Sequence, residues 1–155
     1  VDRARKSHLE GVVFLLPWIA TIDSFQHWIY ANPNHSREER AEIWQSIRDR
    51  FGSEMDWRGY SDFREVSWQQ QSHLFGVPFY YIEYGIAQLG SIQLWKTQMS
   101  DPEKALDDYA KAMSLGNTKT LPELFSAADL KLEFSESHFQ TLMSSVEGAL
   151  TDAHS

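Results

Sequence analysis

The chain has 155 residues, no cysteine, a formal net charge of −8 and a 14% aromatic fraction that includes six Trp, six Tyr and nine Phe. That much apolar material suits one packed domain and argues against disorder. The composition rules out disulfides, thiolate metal sites and thiol nucleophiles. Its acidity repels phosphate backbones, so nucleic acid is not an expected partner.

The first predicted element covers Arg3 to Ala31. Leu9, Val12, Val13, Leu16, Ile19, Ala20, Phe25 and Ile29 recur at three- and four-residue steps, the spacing of a helix face. Pro17 is expected to kink or split this helix, because it lacks an N–H and crowds the preceding turn. Asn32-Pro33-Asn34 ends it. The apolar run Gly11 to Ala20 is shorter than the ~20 residues a bilayer span needs, so no membrane association is expected.

Ser36, with Glu39 three residues on, is a capping-box start for a helix through Ile43, Trp44 and Ile47 to Phe51, stopped by Gly52. Residues 53–63 read as a loop turning at Gly59. A short helix is expected over Val66 to Phe75, then a break at Gly76-Val77-Pro78, then a long helix over Phe79 to Gln98.

Gly85 and Gly90 each cost that helix roughly 1 kcal/mol against Ala, which points to close approach of another backbone or to a substrate channel. Asp101-Pro102 begins a further helix with Ala105, Leu106, Tyr109, Ala112 and Met113 inward, closed by Gly116. A short helix opens at Leu121. Ser135 caps a last one over Glu136 to Leu150, with Phe139, Leu142, Met143, Val146 and Leu150 inward. The fold class is all-α, with six to eight helices over residues 1–150 and a fraying tail over 151–155.

No H-E-x-x-H, Gly-rich phosphate loop or G-x-S-x-G is present. The histidines at 8, 27, 35, 73, 138 and 154 include no i, i+4 pair, so no metal site is expected from this chain alone. Asp23 and His27 lie one helical turn apart and fit a packing pair near Phe25 and Trp28 better than a proton relay. In "WQQQSHLF" His73 falls near a predicted helix end, where the helix dipole favours its donating form. A core histidine is the competing reading.

"HLFGVPFYYIEYGIAQLG", His73 to Gly90, is the densest stretch. Tyr81 and Tyr84 are three apart, Tyr80 and Tyr84 four apart. A chain reversal at Gly76 and Pro78 would bring His73 to that tyrosine face. An imidazole and phenols are good donors to a developing oxyanion. An aromatic core helix explains the same spacing, and the residues alone leave both readings open.

"LPWIATIDSFQHWIYANPNHSREER" (16–40), "SWQQQSHLFGVPFYYIEYGIAQLGSIQLW" (67–95) and "DYAKAMSLGNTKTLPELFSAADLKLEF" (108–134) resemble, in order, the C-terminal region of oligoendopeptidase F, a branch of the thimet-oligopeptidase-like zinc metallopeptidases. The resemblance implies a mostly helical, elongated two-lobed body that cleaves oligopeptides in a channel. Zinc would be held by two histidines of H-E-x-x-H and by a glutamate on a following helix. It implies that His73, Tyr81 and Tyr84 contact the substrate carbonyl or oxyanion. Thimet-type relatives carry one more residue between histidine and tyrosines, which leaves Tyr80 a competitor for one role, with His73 and Tyr80 as substrate-binding residues.

The family's zinc motif lies upstream of a segment like 1–18. The resemblance therefore implies a C-terminal fragment that binds no zinc and cleaves no peptide alone. Its partners would be oligopeptide and the upstream zinc-bearing part of the same protein, with self-association through exposed apolar surface. The alternative is a non-catalytic helical interaction module. The absence of cysteine fits a reducing, cytoplasmic setting.

Overall fold

The computed structural model describes residues 2–52 and 55–152. The first residues of the expected 53–63 loop, the end of the expected tail and His154 lie outside them. The described residues form eight α-helices and no strand: α1 (Asp2–Ala31), α2 (Arg37–Phe51), α3 (Ser61–Val66), a 3-10 turn (Ser67–Gln70), α4 (His73–Gly76), α5 (Ile82–Ser100), α6 (Pro102–Ser114), α7 (Leu121–Ala127) and α8 (Glu136–Asp152). The fold is all-α. The chain divides into two compact units, Val12–Gly85 and Val1–Gly11 with Ile86–Ser155.

Pro17 does not split α1. Its missing N–H is the one that would pair with the Val13 carbonyl, and Val13 is an exposed residue of the helix. Over Arg3–Ala31 this helix is long and apolar enough, by length and composition, to cross a membrane, a point the uninterrupted run alone did not show. In the fold its Ile19, Ile22 and Phe25 are packed in a protein core.

α2 begins with the expected capping box: the Glu39 N–H donates to Ser36 Oγ at 3.0 Å, and the Ser36 N–H donates to the Glu39 carboxylate at 2.7 Å. Gly52 ends it in extended backbone rather than the left-handed conformation (φ −78°, ψ 170°). Glycine is needed there for room, since a Cβ would sit 2.2 Å from the Arg48 carbonyl oxygen.

The core of the Val12–Gly85 unit is Ile19, Ile22, Phe25, Trp44 and Tyr81. Trp44 is fully buried. Its indole N–H donates to the Arg64 carbonyl at 2.9 Å and reaches Ser67 Oγ at 3.1 Å, so one side chain joins α2 to α3 and the 3-10 turn. Its ring meets Phe25 edge-on at 4.9 Å. The Arg48 guanidinium lies over three indoles, Trp18 at 5.2 Å and Trp44 and Trp57 at 5.9 Å. Such contacts reward a cation that gives up water.

In the other unit Leu9, Leu89, Ile92, Ala105, Ala128, Leu142 and Val146 are buried. Asp101 caps α6 by accepting the Lys104 N–H at 3.0 Å. The Gln93 amide pairs both ways with the Lys131 backbone, donating to its carbonyl and accepting its N–H at 2.9 Å each. That holds the extended segment before α8 against α5. Lys104 bonds Asp108 and, at 2.8 Å, Asp129. The helix α8 continues past Leu150 to Asp152.

Two expected inner faces are only partly inner. On α6 Ala105 is buried, whereas Leu106 (67%), Tyr109 (49%) and Met113 (62%) are exposed; on α8 Leu142 and Val146 are buried and Phe139 is not. Helical period marks which residues share a face, and not whether anything covers that face. The small residues of α5 also meet side chains, and not a backbone: a Cβ at Gly85 would lie 3.4 Å from Ile19 Cγ2, and one at Gly90 would lie 3.2 Å from the Phe125 ring.

Trp44→Ala is expected to cost ~3–5 kcal/mol of stability, and Trp44→Phe, which keeps an aromatic ring and loses the donor, about 1–2 kcal/mol. Urea unfolding of the two variants checks the order. Gly85→Ala places its methyl 3.4 Å from Ile19 Cγ2 and should gain roughly 1 kcal/mol of helix propensity, read by the same assay.

Candidate active site

The segment before the tyrosines does not form the single 66–75 helix expected from the sequence. α3 starts at Ser61, the 3-10 turn follows, and Gln71 leaves helical backbone (φ −86°, ψ 90°). His73 is therefore the first residue of the four-residue α4. His73 thus lies at a helix start and not at the C-terminal dipole end expected for it. α4 is anchored through neighbours: Leu74 packs against the core, and Phe75 stacks on Trp68 at 5.8 Å, which itself meets Phe25 at 5.6 Å.

The reversal that follows depends on Phe79. Its φ is +60°, left-handed backbone that costs a residue with a Cβ about 1–2 kcal/mol. The conformation is supported by its ring, which packs on His27 at 5.0 Å and Tyr30 at 4.8 Å. Backbone bonds close the turn, Val77 N–H to the His73 carbonyl at 3.1 Å and Tyr80 N–H to the Val77 carbonyl at 3.2 Å. α5 consequently begins at Ile82, three residues later than the sequence pattern suggests, and Tyr80 and Tyr81 sit in the turn.

The reversal gathers four rings. His73 Nε2 is 3.2 Å from the Tyr84 hydroxyl. The imidazole stacks nearly parallel to Tyr80 (6.2 Å, 11°) and meets Tyr81 (5.1 Å) and Tyr84 (5.7 Å) edge-on. Tyr84 in turn meets Tyr80 at 5.5 Å and Tyr81 at 5.2 Å.

The phenols differ in access. Tyr80 (40%) and Tyr84 (38%) are exposed, while Tyr81 (8%) is buried as part of the core. Burial raises the Tyr81 pKa above the ordinary phenol range, while a hydrogen bond with the Trp18 side chain pulls the other way. Tyr81 thus stays protonated and serves as the floor of the cluster.

One participant has no sequence motif to announce it. The Gln71 side-chain nitrogen lies 2.6 Å from His73 Nδ1. It sits two residues before the histidine in a run of glutamines, where spacing alone does not single out one of three.

Asp23 and His27 form the packing pair: His27 Nδ1 bonds the Asp23 carbonyl at 2.9 Å and lies 3.4 Å from its carboxylate. The ring it supports is Phe79, in place of Phe25 or Trp28. Among the described residues no three His, Asp or Glu side chains come together as a metal ion requires. His73 already has both ring nitrogens engaged. The described residues therefore do not fit a zinc site.

Phe79→Gly relieves the left-handed strain and Phe79→Ala retains it, while both lose the ring. The glycine variant is expected to be the more stable by ~1–2 kcal/mol. Thermal or urea unfolding of the pair measures this.

Residues 2–144 match the family model described as Peptidase family M3. Among solved structures, a PZ peptidase A with an inhibitor is 32% identical, with a TM-score of 0.89 over 96% of this chain and 26% of its own. A structure assigned as an oligoendopeptidase F is 30% identical, with a TM-score of 0.84 over 97% of this chain and 27% of its own. One so assigned from Bacillus anthracis str. Ames is 28% identical, with a TM-score of 0.76 over 99% of this chain and 25% of its own. The chain thus spans about a quarter of the length of the structures it matches. No curated protein matches it.

Proposed function

The chain belongs to peptidase family M3 as an oligoendopeptidase F-like region, and from that premise we propose that it is the C-terminal, oxyanion-stabilising part of a zinc-dependent peptidase acting on oligopeptides. The observation that carries the reading is the 3.2 Å contact between His73 Nε2 and the Tyr84 hydroxyl at an exposed edge of the cluster.

When a peptide carbonyl is attacked, negative charge develops on its oxygen. A preplaced phenol O–H stabilises that charge without reorganising. In this reading Tyr84 supplies the donor, His73 orients and polarises it, Tyr80 flanks the substrate, and Tyr81 holds the floor. These groups need no deprotonation. None of them accounts for activating water, so the reading assigns that step, and the zinc, to other parts of a longer protein. The fragment alone is then inactive. The uncovered Leu106, Tyr109 and Met113 of α6 are in keeping with a piece that packs against more protein or against itself. We place the enzyme in the cytoplasm, on the absence of cysteine alone.

Tyr84→Phe, made in the longer peptidase that contains this chain, keeps the ring and removes the hydroxyl. Its kcat is expected to fall by ~10²–10³ with the fold unchanged. A variant with normal kcat would overturn the role of Tyr84 and favour a helical interaction module in which the tyrosines only pack.

A further inference from the structure

The polar chain Gln71–His73–Tyr84 has a direction, and the direction decides whether the cluster ends in a donor or an acceptor. An amide nitrogen carries protons and accepts none, so with the Gln71 nitrogen placed toward Nδ1 at 2.6 Å the hydrogen bond between them is made with Nδ1 bare. In a neutral imidazole the proton then sits on Nε2. That nitrogen faces Tyr84 at 3.2 Å, so Nε2–H donates and the phenol oxygen accepts. The hydroxyl hydrogen of Tyr84 is left free to point outward, polarised by the bonds behind it.

With the amide reversed, its oxygen would accept from Nδ1–H, Nε2 would be bare, and the Tyr84 hydroxyl would turn inward to serve it. The outer edge would then present only lone pairs and would repel an oxyanion. Tyr80 lies across one face of the imidazole and Tyr81 meets it edge-on; a flipped ring would turn carbon atoms toward Gln71 and Tyr84 and lose both polar contacts, so the tautomer sets the polarity.

We infer that Gln71 is a positioning residue: its amide N–H holds His73 as the Nε2–H tautomer and thereby leaves the Tyr84 hydroxyl as an outward hydrogen-bond donor. The inference rests on the oxyanion reading for its purpose, and stands apart from it in its chemistry.

The test is histidine 15N NMR on the protein at a pH where the imidazole is neutral, with the His73 signals assigned by their loss in His73→Asn. Two-bond proton–nitrogen correlations show which ring nitrogen carries hydrogen. The wild type is expected to show protonated Nε2 and bare Nδ1. In Gln71→Glu, whose carboxylate only accepts, the pattern is expected to invert.

The same substitution in the longer peptidase should lower kcat by ~10²-fold, the cost of losing one such donor, with KM unchanged, as loss of a purely transition-state contact requires. A wild-type proton on Nδ1, or a tautomer ratio equal in wild type, Gln71→Glu and Gln71→Ala, overturns the inference. An inverted tautomer with unchanged kcat upholds the proton assignment and overturns the oxyanion role of Tyr84.

Discussion

The site rests on one strained residue. Phe79 holds left-handed backbone that its Cβ disfavours, and what it gains in return is the packing of its ring against His27, edge-on, and Tyr30, tilted, both of α1. Because Phe79 turns there, α5 starts late, Tyr80 and Tyr81 leave the helix, and the imidazole from α4 meets three phenols. Strain concentrated at one turn and supported by packing elsewhere is a recurring arrangement.

A second dependency runs through the core. Tyr81 belongs to the site and also to the buried cluster with Ile19, Ile22, Phe25 and Trp44. The same ring is floor to the polar cluster and wall to the hydrocarbon. This coupling gives the exposed phenols a rigid base, because a closely packed interior tolerates little displacement. It also separates the roles of the three tyrosines more sharply than their spacing does.

The helices were largely legible from the sequence. Capping signals are local chemistry, and Ser36 with Glu39, and Asp101 before Pro102, read correctly because each involves only neighbouring atoms. The meeting of His73 with the tyrosines could be drawn from the chain reversal. Its pivot could not. Gly76 and Pro78 are the residues that usually mark a turn, yet Gly76 is helical and the left-handed position fell on Phe79, for which no local rule exists. The start of α3 fell in a stretch read as loop, and Gln71 broke a stretch read as one continuous helix, with no Gly or Pro beside it to mark the boundary. Burial was least legible on α6, whose apolar stripe is uncovered.

The tryptophans are unevenly shared. Five of the six, at 18, 28, 44, 57 and 68, fall in the Val12–Gly85 unit, and only Trp95 lies in the other. Four of those five lie against a guanidinium, three around Arg48 and Trp68 beneath Arg40. Indole emission is therefore a one-sided reporter: a fluorescence melting curve follows the half that carries the imidazole and phenols, and leaves the half containing α6, α7 and α8 nearly dark.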